Sequence, residues 1–346
     1  MTAHNPRVVV IVLNWKGAGD TIECLESVSQ ISYPNYKVVV LDNGSGDDSA
    51  EKIRAYTQGN IAVCSPLVSY DSTNKPIPLV EVHLGAEGVP MRYEACAADL
   101  APIGSILLLL SPVNLGFAEG NNVAIRFALQ HEEPDFIILL NNDTVVDPMF
   151  VSELVRVAES DPSIGVVGSR LLWYERNGRR DVVQFAGGFV ELGHYPGYYP
   201  FLESDPSAGY PGHVIQSDYA SGAALLMKPK AVPFFLLDST YFFGCEDIDY
   251  CLRLASVGFK TVVAPQSTVW HKGGVARRLR FSGRGLSQAL ADTITNLRFL
   301  ALHRPKWFLR VPVYLLEIAF VVGLRRGGEH LAGWRGARHD ALVRSR

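Results

Sequence analysis

The chain has 346 residues, of which 48% are hydrophobic and 19% are charged. This composition is typical of a globular protein and excludes an intrinsically disordered chain. The formal net charge of −3 argues against a general nucleic-acid-binding protein. The charge is unevenly distributed, because residues 1–271 carry −14 and residues 272–346 carry +11. We therefore expect the basic segment either to bind an anionic partner or to form a solvated, arginine-rich end.

The first predicted unit is a strand, a helix and a second strand. Residues 8–14 and 37–42 are apolar, β-branched runs, and residues 20–30 between them have helical spacing. Two strands joined by a helix within about 35 residues form a βαβ unit, which predicts a parallel sheet. The two strands end in Asn14 and Asp42. Because ligands of open parallel sheets bind beyond the carboxyl ends of the strands, this half of the chain is predicted to bind a nucleotide.

The middle of the chain is less regular. Residues 60–112 contain six prolines and no helical period, which predicts an irregular insertion with one or two strands. Residues 173–216 are rich in Gly, Tyr and Pro and are predicted to form loops around a groove. Further core strands are predicted at residues 136–140, 164–168, 223–227 and 261–264, and helices at about 121–130, from Pro148 and at about 247–257.

Carboxylates and an imidazole follow these predicted strands at Asp143, Glu246, Asp247 and His271. The carboxyl ends of parallel strands share one rim of a sheet, so we expect these side chains to lie there together with Asp42. Oxygen and imidazole ligands suit Mg²⁺ or Mn²⁺ bound through substrate phosphates. A single Asp after a strand more often forms a turn or caps a helix. The prediction of a metal site therefore depends on several such residues following successive strands.

Seven segments carry a resemblance to a known family: VVVIVLNWKGAGDTIECLESV, VVVLDNGSGDDS, NLGFAEGNNVAI, FIILLNNDTVVDP, SGAALLMK, FFGCEDIDYCLRLASVGFK and VWHKGG. The chain resembles the family-2 glycosyltransferases of the GT-A fold, in the rhamnosyltransferase-like branch. The resemblance implies an α/β fold with a mostly parallel, Rossmann-like central sheet flanked by helices. It places a GT-A domain at residues 1–275, with the insertion at 60–112, and a basic, amphipathic helical extension at 276–346.

The resemblance also implies roles for individual residues. Asp247 matches the general base, and Glu246 positions the acceptor or the base. Asp143 and His271 match ligands of Mg²⁺ or Mn²⁺, but Asn141 stands where the family has the first acid of its metal motif. The ion is therefore expected to be held by one carboxylate, one imidazole and the diphosphate oxygens. The implied nucleotide-binding residues are Asn14, Asp42, Asn114, Gly116, Asn121, Asn122 and Asn142, and the implied acceptor-binding residues are Gly222 and Trp270.

The implied reaction is inverting transfer of a sugar from a nucleotide-diphosphate sugar, either dTDP-rhamnose or a UDP-sugar. The acceptor is a hydroxyl of a glycan or a lipid-linked molecule. One alternative is a sugar-nucleotide nucleotidyltransferase, although the glycine-rich, basic loop typical of that class is absent after the first strand. The absence of a G-x-G-x-x-G motif there excludes a typical dehydrogenase. A non-catalytic sugar-nucleotide-binding protein stays open because of Asn141.

The basic end of the chain carries a further prediction. The apolar stretch at residues 308–324 is interrupted by Arg310, Pro312 and Glu317, so it does not predict a membrane-spanning helix. Its broad apolar face favours a helix on a membrane surface at residues 305–326, with packing on the protein body or on a second subunit of a homodimer as the alternatives.

Cysteine spacing and the N-terminus bear on the compartment. The five cysteines include no CxxC pair, and the first seven residues lack a signal-peptide pattern. We therefore expect a cytoplasmic protein, peripheral on the inner face of the cell membrane.

Overall fold

The structure is a computed structural model. It describes residues 5–86, 88, 90–92, 104–191, 197–200, 213–229, 236–273, 294–295, 297–303 and 312. The chain divides into two compact units, residues 1–280 and 281–346. In the second unit, residues 297–303 are helical, whereas the predicted membrane-surface helix lies outside the described residues except for Pro312. No helix among the described residues is long and apolar enough to cross a membrane.

The first unit alternates strands and helices, as the sequence predicts for an α/β fold. Its helices are Ala18–Val28 (α1), Ser49–Thr57 (α2), Gly116–His131 (α3), Phe150–Ser160 (α4) and Glu246–Ser256 (α5). Its strands are Val8–Asn14 (β1), Tyr36–Asn43 (β2), Leu79–Leu84 (β3), Pro90–Arg92 (β4), Ile106–Ser111 (β5), Phe136–Asn141 (β6), Thr144–Val146 (β7), Ile164–Trp173 (β8), Val183–Phe185 (β9), Gly188–Glu191 (β10), Gly197–Pro200 (β11), Ile215–Ser217 (β12), Ala224–Met227 (β13) and Lys260–His271 (β14).

One large sheet organises this unit. Its strand order is β12-β14-β8-β13-β6-β1-β2-β5-β3-β4, with β7 beside β14 and β9 beside β8, while β10 and β11 form a separate hairpin. The run β6-β1-β2-β5-β3 is parallel throughout, and β13 is inserted antiparallel between β6 and β8. Strand β1 is buried along nearly its whole length, as its continuous apolar run predicts for a central parallel strand.

The predicted insertion at residues 60–112 differs from expectation because its described residues hold three strands, two of which extend the sheet in parallel. Strand β5 pairs in parallel with β2 from Val38↔Ile106 to Asn43↔Ser111, and β3 pairs with the other side of β5. Residues 173–216 likewise contain short strands, β9 to β12, where loops were predicted. Strands of three or four residues are too short to show a clear apolar period, so composition alone indicates loops.

Strand β14 is longer than predicted because it continues past an irregularity. The predicted strand ends at Ala264, immediately before Pro265, and the pairing of β14 with β8 shifts register between Ala264 and Thr268. A β-bulge accommodates the proline, which cannot donate to the ladder. The strand then resumes and ends at His271. This continuation brings His271 to the rim of the sheet.

The first part of the insertion is anchored on the sheet's helices by a buried ion pair. Lys75 Nζ lies 3.0 Å from Glu26 Oε2, and the two side chains are 4% and 0% exposed. The same carboxylate accepts hydrogen bonds from Tyr56 Oη and from the backbone N–H of Asp71. The ammonium also lies 4.5 Å from the centre of the Tyr56 ring. This cluster therefore joins α1, α2 and the insertion.

Replacing Lys75 with Met should destabilise the fold strongly. The Glu26 carboxylate would stay buried without its cation, and breaking a buried pair in this way costs about 3–5 kcal/mol. We expect the free energy of unfolding in urea to fall by about 3 kcal/mol. Lys52→Met is the matched control, because Lys52 pairs with Asp48 at the surface and such pairs contribute at most about 1 kcal/mol. Equal effects of the two substitutions would contradict the anchoring role.

The strand directions bring the carboxyl ends of the core strands to one rim. Strand β14 runs parallel to β8, and both run antiparallel to β13, so β14 has the direction of β6 and β1. The rim therefore collects Asn14, Asp42, Asp143 and His271, as predicted from the sequence. The start of β13 reaches the same rim, because the backbone N–H of Asn141 donates to the carbonyl of Ala223.

Candidate active site

The ends of β1 and β2 are joined by a buried polar network around Asp42. Asn14 Nδ2 donates to Asp42 Oδ1 at 2.8 Å, and the Ser45 hydroxyl donates a short hydrogen bond to the same oxygen. Asn14 Oδ1 accepts from Thr21 Oγ1 at 2.8 Å. All four side chains are buried. The network holds the Asp42 carboxylate in one orientation at the predicted nucleotide-binding rim.

The residues after β6 extend this network to the start of α1. Asn142 Nδ2 donates to Thr21 Oγ1 at 3.0 Å and to the carbonyl of Gly17 at 3.3 Å. A Cβ atom at Gly17 would lie 2.6 Å from Asn142 Nδ2, so the close approach of these two segments depends on the glycine. Asn14 and Asn142 thus converge on Thr21, which the sequence analysis did not single out.

A second unpredicted residue, Asn43, holds the loop that leads into α3. Its Oδ1 accepts from the backbone N–H of Leu115 at 3.0 Å, and its Nδ2 donates to the carbonyl of Gly116 at 3.0 Å. Its Nδ2 also donates to Asn114 Oδ1, which in turn accepts from the N–H of Gly116. The Asn43 side chain thus connects β2 to the predicted nucleotide-binding loop.

Asn121 and Asn122 lie on α3, and both are buried. Asn121 Nδ2 donates to the carbonyl of Phe117. The amide of Asn122 pairs with the backbone of Leu237, donating to its carbonyl at 2.8 Å and accepting from its N–H at 3.0 Å. The contacts of Asn122 therefore attach residues 236–238 to α3, and nucleotide contact by either asparagine stays a prediction.

Gly116 lies where the α3 loop meets the segment before α5. Its φ is +82°, and a Cβ atom there would lie 2.9 Å from the backbone oxygen of Phe242. The neighbouring N–H, of Phe117, donates to that same oxygen at 2.8 Å. Any side chain at position 116 would therefore push apart the α3 loop and the residues leading to Glu246 and Asp247.

Gly116→Ala should reduce stability and nucleotide affinity together. The matched control is Gly46→Ala, because Gly46 also has a positive φ but no atom lies near its Cβ position. Left-handed strain alone costs about 1–2 kcal/mol, so we expect Gly46→Ala to lower the free energy of unfolding by that amount. Gly116→Ala should lower it further and weaken UDP, dTDP or GDP binding in calorimetry. Equal losses for the two variants would argue against the close packing at Gly116.

His271 and Asp143 face each other at the rim. Strand β14 pairs with β7 so that His271 is opposite Thr144, the residue after Asp143. His271 Nε2 lies 3.2 Å from Asp143 Oδ1 and makes no hydrogen bond within the part of the chain that the structure describes. Both side chains are mostly buried, at 12% and 7% exposure. His271 Nε2 and Asp143 Oδ1 thus lie close together with no hydrogen bond between them, which is the arrangement expected of neighbouring metal ligands.

The distance between these two atoms also fits a small divalent cation. Adjacent ligands of an octahedral ion at 2.0–2.1 Å are separated by about 3 Å. Among the described residues, no group of three or more His, Cys, Asp or Glu side chains is arranged to hold a metal ion. The pair alone therefore fits an ion that takes its other ligands from water and a substrate diphosphate, which is the usual binding mode of Mg²⁺.

Lys272 connects the histidine strand to α1. Its backbone N–H donates to the carbonyl of Asp143 at 3.0 Å, and its Nζ donates to Asp20 Oδ1 and Glu23 Oε2 at 2.5 and 2.6 Å. Burial lowers the pKa of Lys272, but the two carboxylates outweigh this and raise it above its usual value. The ammonium therefore stays charged, and it fixes the strand end that carries His271.

The predicted base lies in the first turn of α5. Asp247 Oδ2 accepts from the N–H of Gly222 at 2.8 Å, and its Oδ1 accepts from the N–H of Ile248 at 2.9 Å. Burial raises the pKa of Asp247, although these two N–H groups oppose the shift. Gly222 precedes Ala223, whose carbonyl binds Asn141. The structure therefore brings Asp247 and Gly222 to the rim that carries Asp143.

The neighbouring acid, Glu246, is in a different electrostatic state. It is buried, and its Oε2 has no hydrogen-bond partner in the described part of the chain. Burial, followed by repulsion from Asp247, raises the pKa of Glu246 to about 8. At neutral pH Glu246 therefore keeps its proton, and the negative charge of the pair resides on Asp247.

Glu246 makes the stability of the fold depend on pH. Because its pKa is about 8 in the folded protein and near 4.5 when exposed, its stabilising contribution is complete below pH 4.5 and is lost as the pH rises through 8. The slope of this loss approaches about 1.4 kcal/mol per pH unit. Glu246→Gln should reduce the slope between pH 5 and 8 in urea unfolding. An unchanged slope in this variant would contradict the assignment.

Trp270 is placed differently from the other predicted residues. It packs against the small buried cluster of Leu172, Val183 and Ala186, and its Nε1 donates to the carbonyl of Arg180 at 2.9 Å. These contacts are structural, and a contact with the acceptor stays a prediction for Trp270. Two exposed aromatic residues that were not predicted, Phe242 and Phe243, lie shortly before Asp247 in the chain.

Comparison with known proteins identifies the family of this site. The model of the family described as "Glycosyltransferase like family 2" matches residues 76–284, which is more than half of the chain, and that of "Glycosyl transferase family 2" matches residues 8–66. The chain belongs to the glycosyltransferase-like family 2. The family-2 resemblance predicted from the sequence is therefore confirmed, whereas the rhamnosyltransferase-like branch stays a prediction.

Individual relatives of this family-2 chain are distant. It is 28% identical over 163 residues to the uncharacterized protein y4gI of Sinorhizobium fredii, covering 45% of this chain and 17% of that protein. It is 24% identical over 212 residues to galactofuranosyltransferase GlfT2 of Mycobacterium tuberculosis, covering 56% of this chain and 33% of that protein. The matched curated relatives are thus covered over only 17% to 33% of their lengths.

A solved structure supports the fold. The mannosyltransferase PcManGT of Pyrobaculum calidifontis, solved in complex with GDP-Man and Mn²⁺, superposes with a TM-score of 0.52 at 14% identity. The match covers 99% of this chain and 81% of that structure. At this identity the likeness shows the fold alone, and it confirms the GT-A class predicted for this family-2 chain.

Proposed function

We propose that the protein transfers a sugar, with inversion, from a nucleotide-diphosphate sugar to a hydroxyl of a glycan or lipid-linked acceptor. The observation that carries this proposal is the arrangement of two acidic centres on one rim. Asp143 and His271 form a pair with the spacing of cation ligands, and Asp247 is a separate carboxylate joined to the rim through Gly222. Sugar transfer with inversion requires these two centres on opposite sides of the sugar.

The donor side is proposed to include Asp42, Asn14 and the loop at residues 114–116. The network around Asp42 leaves a carboxylate of fixed orientation near the end of β2, where it would accept hydrogen bonds from a nucleotide base. Asp143 and His271 would hold Mg²⁺ or Mn²⁺. When bound, such an ion neutralises charge that develops on the departing diphosphate. Because the described residues place only this pair there, the donor diphosphate is expected to complete the ligand set.

Asp247 is proposed to remove the proton of the acceptor hydroxyl. Its raised pKa makes it a stronger base than an exposed aspartate, while the N–H groups of Gly222 and Ile248 hold the carboxylate in place. Protonated Glu246 beside it keeps the site from carrying two neighbouring charges. A single attack by the acceptor oxygen at the anomeric carbon would invert the configuration.

The donor is proposed to be dTDP-rhamnose or a UDP-sugar. The names of GlfT2 and of the mannosyltransferase solved with GDP-Man support a sugar donor of this general type. The experiment is a thermal-shift screen of UDP-, dTDP- and GDP-sugars, each with and without Mn²⁺ or Mg²⁺. The proposal predicts stabilisation by one nucleotide class that increases with the metal, and stabilisation by none of them would contradict it.

A non-catalytic sugar-nucleotide-binding protein is the second candidate. Asn141 in place of an acid favours it, because one protein ligand of the ion is missing. Binding of a sugar nucleotide without any hydrolysis or transfer in the presence of Mn²⁺ would support this alternative.

The basic segment is proposed to bind the inner face of the cell membrane beside a lipid-linked acceptor. Its charge of +11 supports attraction to anionic head groups. The test is sedimentation with anionic liposomes of the full chain and of a chain ending near residue 305. Unchanged liposome binding after truncation would contradict this proposal.

A further inference from the structure

The His271 ring contacts the side-chain amide of Gln184, which has no role in the function proposed above. His271 Nδ1 lies 2.6 Å from Gln184 Oε1, at the centre of strand β9. Its other ring nitrogen, Nε2, is buried, lies 3.2 Å from Asp143 Oδ1 and makes no hydrogen bond to any described residue. The imidazole thus lies between an amide oxygen and a carboxylate oxygen.

The chemistry of the amide decides which nitrogen of the ring carries the proton. An amide oxygen can only accept, so the contact at 2.6 Å requires His271 Nδ1 to donate. In the neutral ring, Nε2 then presents a lone pair towards the Asp143 carboxylate. With the ring neutral, these two electron-rich atoms repel one another at 3.2 Å, and a cation beside both of them, or a second proton on the ring, removes the repulsion.

We propose that Gln184 is a positioning residue that holds His271 in the Nδ1–H tautomer and directs the Nε2 lone pair at a divalent cation shared with Asp143. This inference rests on the proposed function, because the cation is the one that would bind the donor diphosphate. Gln184 would not touch the cation or the substrate. It acts through the orientation and tautomer of His271, as outer partners of metal-binding histidines generally do.

The structure fixes Gln184 tightly enough for this role. Its neighbours Val183 and Phe185 are each 6% exposed, and both pair with β8, so the backbone of Gln184 is anchored on either side. Gly273 closes the other side of the amide. A Cβ atom at Gly273 would lie 3.1 Å from Gln184 Nε2 and 2.6 Å from the Trp173 ring.

The small number of protein ligands makes this positioning more consequential. With Asn141 in place of an acid, the part of the chain that the structure describes offers the cation one carboxylate and one imidazole. A wrong tautomer would aim an N–H group at the ion and remove one of these two ligands. Loss of an outer partner typically weakens metal affinity by 10–100-fold, and we expect a loss of that size here.

The first test determines the tautomer of His271 directly in the metal-free protein. Long-range ¹H–¹⁵N spectra distinguish the two ring nitrogens, and the His271 signals are identified by their absence from His271→Ala. We expect a protonated Nδ1 and an unprotonated Nε2 at pH 8. A protonated Nε2 in the wild-type protein would overturn the inference, and this test requires no variant of Gln184.

The second test measures Mn²⁺ binding by the loss of the free-ion EPR signal, with Mn²⁺ alone as the probe. Gln184→Met keeps the side-chain length but removes the acceptor, and it should weaken Mn²⁺ binding about 10–100-fold. Gln184→Glu keeps an acceptor oxygen and should bind at least as tightly as wild type. Gln266→Met is the matched control, because Gln266 is an exposed glutamine of β14, and it should bind as wild type.

The outcomes separate this inference from the proposed function. If His271→Ala abolishes Mn²⁺ binding but Gln184→Met leaves it unchanged, the role of Gln184 is overturned while the metal site stands. If His271→Ala binds Mn²⁺ as tightly as wild type, the metal site and this inference both fail. Sugar transfer is measured separately, so a protein that binds Mn²⁺ through His271 but transfers no sugar would overturn only the proposed function.

Discussion

Asp247→Asn is expected to reduce sugar transfer by about 10²–10⁴-fold while nucleotide binding survives. The substitution removes the base but changes little in volume, and the donor-side network around Asp42 does not include Asp247. Because asparagine offers one acceptor oxygen, it satisfies only one of the two N–H groups of Gly222 and Ile248. A modest loss of stability, about 1–3 kcal/mol, is therefore expected as well.

The matched control for this substitution is Asp48→Asn. Asp48 also stands at the start of a helix, α2, but its side chain is 63% exposed and pairs only with Lys52. We expect this variant to transfer sugar at the wild-type rate. Loss of nucleotide binding in a folded Asp247→Asn protein would contradict the assignment of Asp247 as the base, since it would place this carboxylate on the donor side.

The pH dependence of transfer should have a defined sign. Because burial raises the pKa of Asp247, its basic form is lost as the pH falls through that raised value. As the pH is lowered, the rate of transfer should therefore begin to fall at a higher pH than it would if the base were an exposed aspartate. The matching measurement is the rate at saturating donor between pH 5 and 9.

Asp143→Ala is expected to abolish the metal dependence of nucleotide binding. Asp143 supplies the carboxylate that faces His271, so its removal leaves only the His271 imidazole for the cation among the described residues. We expect Mn²⁺-dependent nucleotide affinity to fall by more than the 10–100-fold typical of an outer partner. Calorimetric titration of nucleotide with Mn²⁺, and with EDTA in its place, measures the difference.

Asp181→Ala is the control for the loss of a carboxylate. Asp181 pairs with Arg179 at the surface, and its side chain is 64% exposed. Its removal should leave the Mn²⁺ dependence unchanged. Equal nucleotide affinity of the wild-type protein with Mn²⁺ and with EDTA would contradict a metal site at Asp143 and His271.

The elements that form the rim could be predicted because their signals are local. Strand β1 is a continuous apolar run that ends in Asn14, and the apolar run of β2 is followed by Asp42 and Asn43 at the end of that strand. A parallel sheet brings such strand ends to one rim, irrespective of the length or conformation of the connecting loops. The positions of Asp143 and His271 followed from the same rule, although β14 reaches His271 only by continuing past Pro265.

The partners of these residues could not be predicted because the segments that supply them are far apart in the chain. Gln184 precedes His271 by 87 residues, and Asn43 holds Gly116, which follows it by 73 residues. Neither side chain has a neighbouring motif that indicates its contact. The state of Glu246 is likewise set by burial, which the sequence Glu246-Asp247 alone does not reveal.

Strand β5 is a core strand that lies within the proline-rich insertion at residues 60–112. The surrounding prolines suggested an irregular insertion, yet the apolar run at Ile106–Ser111 pairs with β2 along its full length. Its burial and its register with β2 make it part of the layer that carries Asp42. The described strands of the insertion thus extend the half of the sheet that is predicted to bind a nucleotide.

Release of nucleoside diphosphate from a sugar nucleotide is the most direct test of the central claim. The wild-type protein and Asp247→Asn are incubated with UDP-, dTDP- and GDP-sugars, with Mn²⁺ or EDTA, and with glycan and lipid-linked hydroxyl acceptors, so that the sugar passes to an acceptor hydroxyl or to water as the diphosphate leaves. We predict release by the wild-type protein from one class of donor, dependent on Mn²⁺ and lost in Asp247→Asn. Tight binding of that donor without release under any of these conditions would contradict sugar transfer and favour a sugar-nucleotide-binding protein.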